Sequence, residues 1–199
     1  IDAFTDELFR GNPACVVPLK EWLPDETLLK IAMENAVAET AFFIDLGSRI
    51  HLRWDGLYYL DFPSRMPSPS SLPDLISKSL NIQPKEVFKS RDYVLVYDNE
   101  DDIRNIKIDR QIFDQINLDP GGVIVTAKGD HSDFVSRYFT SQASILEDPV
   151  TGSAHCSLIP FWSDRLGKKD LFAMQLSERL GKLYCEDQGD RVIIAGKAK

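Results

Sequence analysis

The chain has 199 residues, enough to bury a substantial core as one domain or as two small ones. Its net charge of -8 and pI near 4.9 exclude nucleic acid and anionic membrane as expected partners, because the average field repels both; an anionic ligand has to be held by local donors. No apolar run approaches the roughly 20 residues that span a bilayer. The three cysteines, Cys15, Cys156 and Cys185, form no Cys-x-x-Cys pair and have few histidines around them. They predict buried structural thiols, a reducing cytoplasmic compartment and no metal site. The opening residues carry no basic segment followed by an apolar one, so neither a signal nor a transit peptide is expected.

In chain order, residues 1–4 and 15–18 read as short strands around the turn Arg10-Gly11-Asn12-Pro13. Pro24-Asp25-Glu26 starts a helix whose apolar face runs through Leu28, Leu29, Ile31, Ala32 and Met33 to about Asn35. Strands follow at 41–46, 50–54 and 57–62, the last two joined by Asp55-Gly56, a dipeptide suited to a two-residue hairpin turn. Residues 63–73, with four prolines and four serines, read as an interdomain linker. Beyond it the patterns predict a helix at 72–80, a strand at 93–97, helical spacing over 101–116, and strands at 123–127 and 133–139. Residues 154–166 are apolar on nearly every side of a helix and so predict a buried one, loosened at Pro160 and closed by Gly167. Alternation over 171–177, 182–186 and 191–194 predicts strands that wrap it.

Two places carry chemistry. In Asp148-Pro149-Val150-Thr151-Gly152-Ser153-Ala154-His155, three small residues open the buried helix, so backbone N–H groups can approach an anion where the helix dipole favours negative charge. Asp148 at the mouth of such a nest is a candidate for a raised pKa and for proton transfer, although Asp-Pro and Thr-Gly-Ser are also ordinary turn and cap chemistry. Glu39 stands where a helix gives way to the apolar strand around Phe42 and Phe43; burial there would keep it able to give and take a proton, against the plainer reading of a solvated helix end. His51 and His131 are weaker signals than His155, which is equally compatible with capping its own helix.

The segments Ile1-Asp2-Ala3-Phe4-Thr5, Phe9-Arg10-Gly11-Asn12-Pro13-Ala14, Glu39-Thr40-Ala41-Phe42 and 148–155 together resemble the PhzF-like (phenazine biosynthesis) family, and the similarity continues through 134–139 and 189–192. The resemblance implies an α+β fold of the diaminopimelate-epimerase type: two related domains, each a curled, mainly antiparallel sheet around a central helix. The division would fall at 1–64 and 70–199, with the last residues returning to the first domain. It implies a cleft between the domains in which Glu39 transfers a proton and Asp148 opposes it, while Asn12, Gly152, Ser153 and His155 bind the ligand. It also implies a homodimer, no cofactor, and a small carboxylate metabolite as partner.

One departure accompanies the resemblance. Family members carry a Cys-Gly-His-Ala-Thr type motif, opening the first domain's central helix, where this chain has only Asp55-Gly56. The resemblance thus implies a helix-sized segment near 55–56, either deleted or only missing from the sequence given; a true deletion would leave one face of the curled sheet uncovered and remove the family's active-site histidine. Two readings of function stand: a cofactor-independent isomerase moving a proton on a small carboxylate, or a non-catalytic binding or scaffolding protein on the same fold. A Rossmann-type fold is not expected, since no Gly-x-Gly-x-x-Gly follows a strand.

Overall fold

The computed structural model describes residues 1–35, 39–44, 53–54 and 57–199. The readings of His51, of the Asp55-Gly56 turn, and of the strand ends at 45–46 and 50–52 lie outside these residues.

Strands β1 (Asp2–Ala3), β2 (Asn12–Leu19) and β3 (Glu39–Ile44) form a small sheet, with β1 antiparallel and β3 parallel to β2; helix α1 (Asp25–Asn35) connects β2 to β3. The turn before β2 needs Gly11: its φ is +66°, and a Cβ there would meet the Ala3 carbonyl at 2.1 Å. Helix α1 buries no residue, and Leu29 and Met33 on its apolar face are 61% and 73% exposed, so the expected face forms without a described cover.

The rest of the chain builds an 11-stranded sheet from β4 (Arg53–Trp54), β5 (Leu57–Pro63), β6 (Ser68–Pro69), β7 (Glu86–Lys89), β8 (Tyr93–Val96), β9 (Val123–Lys128), β10 (Phe134–Phe139), β11 (Glu147–Asp148), β12 (Asp170–Gln175), β13 (Gly181–Asp187) and β14 (Arg191–Gly196). Its spatial order is β4-β5-β14-β13-β12-β10-β9-β8-β7-β6, with β11 paired to β10. Pairing is antiparallel except for β8 with β9 and β10 with β12.

This sheet curls around helix α5 (Gly152–Leu166). Every residue from Ala154 to Ser163 is buried, and the helix opens only at its ends, at Gly152 and Ser153 and over the last turn. Contacts come from strands far apart in the sheet: Phe88 of β7 meets Phe161 edge-on at 5.1 Å, Phe134 of β10 stacks on Trp162 at 5.9 Å, and the Trp162 indole donates to Thr126 Oγ1 of β9 at 3.0 Å. Leu171, Leu183 and Ile194 close the opposite side from β12, β13 and β14. The adjacent Phe161 and Trp162 are both buried because an enclosed helix has no polar face.

Pro160 does not interrupt α5. It removes the donor that would bond the carbonyl of Cys156, and the backbone N–H of Arg65 fills that place at 2.9 Å. The proline-rich run 63–73 is thus tied down rather than loose. Ser64 N–H donates to Asp190 O, β6 pairs with β7, and Ser70 N–H donates to Val87 O.

The other face of β8, β9 and β10 packs on α2 (Asp74–Ser79), α3 (Glu100–Asn105) and α4 (Arg110–Phe113), through Ile76, Ile103 and Phe113 against Leu95, Val125 and Val135. The helical spacing over 101–116 resolves into two short helices. Asn99 Oδ1 caps one, Asp109 Oδ1 caps the other, and Ile108 bridges to Leu80 between them. At the chain's end, residues 197–199 run beside β1, with Asp2 N–H donating to Lys199 O and Thr5 N–H to Lys197 O.

The enclosed helix yields a stability prediction. Trp162→Ala removes a large side chain touched by β9 and β10, and is expected to lower the unfolding free energy by about 3–5 kcal/mol in urea denaturation. A cost under about 1 kcal/mol would mean that the sheet does not close on α5.

Candidate active site

A cavity of about 630 Å³ lies between the N-terminal hairpin and the start of α5. Ala3, Phe4, Asn12 and Ala14 form one wall, and Asp148, Thr151, Gly152 and Ser153 form the wall facing it. Leu60 and Phe62 of β5 add apolar surface; Arg91, Tyr138, Thr140 and the turn Asp119-Pro120-Gly121 complete the lining.

The second wall is built by hydrogen bonds that the sequence spreads widely. Strand β11 sets Asp148 opposite Tyr138 in register. Gln175, fully buried on β12, accepts from Thr151 N–H at 2.8 Å and donates to the Asp148 carbonyl at 2.8 Å and to Thr151 Oγ1 at 3.2 Å. Thr151, the N-cap residue, makes no side-chain cap bond; its hydroxyl donates instead to Asp148 Oδ2 at 2.5 Å. The first-turn amides of α5 consequently open into the cavity without a capping oxygen from Thr151, which is the condition for holding an anion there.

Arg91 stands beside this helix end. Its Nε and Nη2 donate to the carboxylate of Asp92 at 2.8–3.2 Å, and Nη2 also donates to Ser153 Oγ at 2.9 Å. Asp92 is fully buried and further accepts from Tyr138 Oη at 3.0 Å and from Gly122 N–H at 2.9 Å. Burial opposes the charge on Arg91 and its bond to Asp92 outweighs this, so its pKa is raised and the guanidinium stays cationic. Burial, and after it the charge of Asp92, pushes the Tyr138 phenol above its ordinary value, keeping it a donor.

On the opposite wall Asn12 is 4% exposed, and its Oδ1 has no hydrogen-bond partner among the described residues. A buried amide oxygen left unpaired at a cavity is an acceptor waiting for a ligand donor. Glu39 is described in its backbone, which is the register partner of Ala14 and so lies one strand away from the lined wall.

The sequence-predicted residues thus separate. Asn12, Asp148, Gly152 and Ser153 meet at one cavity. His155, expected among the ligand-binding residues, turns inward: it is fully buried, its Nδ1 donates to Thr151 O at 2.8 Å, and its ring faces Phe134 at 5.9 Å. One helical turn below Thr151, its side chain belongs to the core rather than the lining. Gln175, Arg91, Asp92 and Tyr138 were not anticipated. The signal available for the central pair was an adjacent Arg-Asp directly before the apolar strand 93–96. Among the described residues no cluster of His, Cys, Asp and Glu is arranged to hold a metal.

The family model for phenazine biosynthesis-like proteins, PhzC-PhzF, matches residues 1–55 and 73–199, and the chain belongs to that family. An uncharacterized isomerase of Pseudomonas aeruginosa is 38% identical over 246 residues, covering 100% of this chain and 93% of the relative. An uncharacterized isomerase of Halalkalibacterium halodurans is 32% identical, with the same coverages. Among solved structures, a PhzF-family protein of Enterococcus faecalis superposes with a TM-score of 0.89 at 36% identity, over 100% of this chain and 94% of that one. A protein of Pseudomonas aeruginosa described as a predicted epimerase shares the fold with a TM-score of 0.61 at 13% identity, covering 98% and 93%.

Two predictions follow the geometry. Gln175→Leu leaves the Thr151 N–H and the Asp148 carbonyl unpaired in the interior, and should cost about 2–4 kcal/mol in chemical denaturation. His155, its pKa lowered by burial to about 4, enters the unfolded state as a better base. Its contribution is complete above the unfolded value near 6.5 and is lost as the pH falls from there through 4. The wild type should therefore lose on the order of 3 kcal/mol more than His155→Leu over that window, followed by melting at each pH.

Proposed function

We propose that this chain is a cofactor-independent isomerase that moves a proton on a small carboxylate substrate. The carrying observation is the two-walled cavity: the uncapped start of α5 with Asp148 on one side, and on the other the hairpin wall beside which the Glu39 backbone pairs. In this reading the substrate carboxylate lies against the amides of Gly152 and Ser153. Glu39 removes a proton from the activated carbon and returns it elsewhere, and Asp148 opposes it across the cleft. The isomerase names carried by relatives 38% and 32% identical over the whole chain support the reaction class.

A division into units 1–64 and 70–199 belongs to the same proposal, with the cleft between them. So do a homodimer and a cytoplasmic location, to be tested by light scattering and by fractionation.

A second reading, a non-catalytic binding or scaffolding protein, is favoured by one specific observation. The alignment to the P. aeruginosa isomerase extends over 246 residues against the 199 of this chain, and the family match is interrupted between 55 and 73. Apolar side chains stand open in this half of the molecule, among them Leu60 at 45% and Trp22 at 64% exposure.

Deuterium exchange separates the two. Incubated in deuterated water with candidate carboxylates, the protein should incorporate solvent deuterium at a substrate carbon. Glu39→Gln should slow this by about 10² to 10⁴-fold with melting unchanged. An active Glu39→Gln protein would remove the glutamate from the mechanism, and absence of exchange in the wild type would favour the binding protein.

A further inference from the structure

Within the cavity just assigned to the substrate, charge is unevenly placed. Asp119 and Asp148 line it, and among the described residues Arg91 is the one cation that does. In a chain of net charge -8, an anion enters such a space only where a positive group is fixed at its surface.

Arg91 is fixed in this way. Asp92, fully buried, holds Nε and Nη2 from behind, and is itself anchored by the Tyr138 hydroxyl and the Gly122 amide. Ser153 Oγ accepts from Nη2 at 2.9 Å, which pins the guanidinium to the second residue of α5. Nη1 makes no hydrogen bond among the described residues, and the side chain is 28% exposed. A planar fork with one edge spent inside the fold and a donor left outside can share a carboxylate with the adjacent first-turn amides. Asn12 on the opposite wall adds an independent observation: its buried Oδ1 has no hydrogen-bond partner among the described residues.

We propose that Arg91 is the anion-selecting residue of this cavity, choosing a carboxylate over its neutral amide, and that Asp92 and Tyr138 are positioning residues that hold it against Ser153. The inference rests on the reading of the cavity as the substrate site. A singly charged carboxylate is favoured over phosphate because Asp119 and Asp148 line the same cavity as Arg91 and repel a second negative charge.

Calorimetric titration with 2-aminobenzoate, its isosteric amide 2-aminobenzamide, and inorganic phosphate tests this without turnover. The wild type should bind the carboxylate about 10-fold tighter than the amide, as expected for one charge-assisted contact. The double variant Arg91→Gln with Asp92→Asn, which leaves no lone buried carboxylate, should bring the ratio to within about 2-fold. Arg91→Lys keeps a partner for Asp92 should the double variant not fold; it should weaken the carboxylate by about 3-fold or more while the amide stays within about 2-fold. Tyr138→Phe should lower the same ratio, whereas a merely structural role would weaken both probes alike.

Equal binding of the two organic probes by the wild type, binding of neither, or a ratio unchanged in the Arg91 variants would each overturn the proposal. Tighter binding of phosphate would overturn the choice of carboxylate. The titrations need no turnover, so an absence of deuterium exchange with the ratio of about 10-fold intact is a failure of the proton-transfer reading, and exchange with a ratio near one is a failure of anion selection.

Discussion

A helix buried around its whole circumference from Ala154 to Ser163 cannot rest on a single surface, and the sheet has to close on it from several sides. That requirement explains why strands as distant in the sheet as β7 and β14 contact one helix, and why β9 alternates so strictly. Ile124 and Thr126 face α5, while Val123, Val125 and Ala127 face the outer helices. It also fixes where the helix begins. Side chains that fill the enclosed middle leave only the first turn, of small residues, to meet a ligand.

The start of α5 is held by polar groups rather than by packing. Gln175 spans the turn between Asp148 and Thr151, and Thr151 turns its hydroxyl to Asp148 and away from its own helix. Each bond spent on holding the turn is one not spent on capping the helix. The fold thereby trades local helix stability for exposed donors beside a fixed carboxylate, a trade that makes sense at a binding surface.

Legibility in the sequence followed the range of the interactions. The buried helix could be read because its signal is local: apolar residues on every side, then Gly167 in the left-handed conformation at its end. Asp148, Gly152 and Ser153 lie within six positions of one another, and the structure gathers them as their spacing suggests. Asp92 and Tyr138 stand 46 positions apart, and Gln175 follows Asp148 by 27; no window of sequence contains either partnership. His155 is near the ligand turn along the chain, while helical geometry rotates its ring into the core. The two-residue strands β6 and β11 have too little length for any periodicity to register.

Pro160 has a mechanical consequence. The Cys156 carbonyl it releases lies in an apolar interior and, among the described residues, is satisfied by the N–H of Arg65, so lifting that strap would strand a buried acceptor at about 1–3 kcal/mol. The proline-rich run is thus fastened to the enclosed helix through its own backbone, and part of the helix's polar accounting depends on a strand connection far from it in sequence.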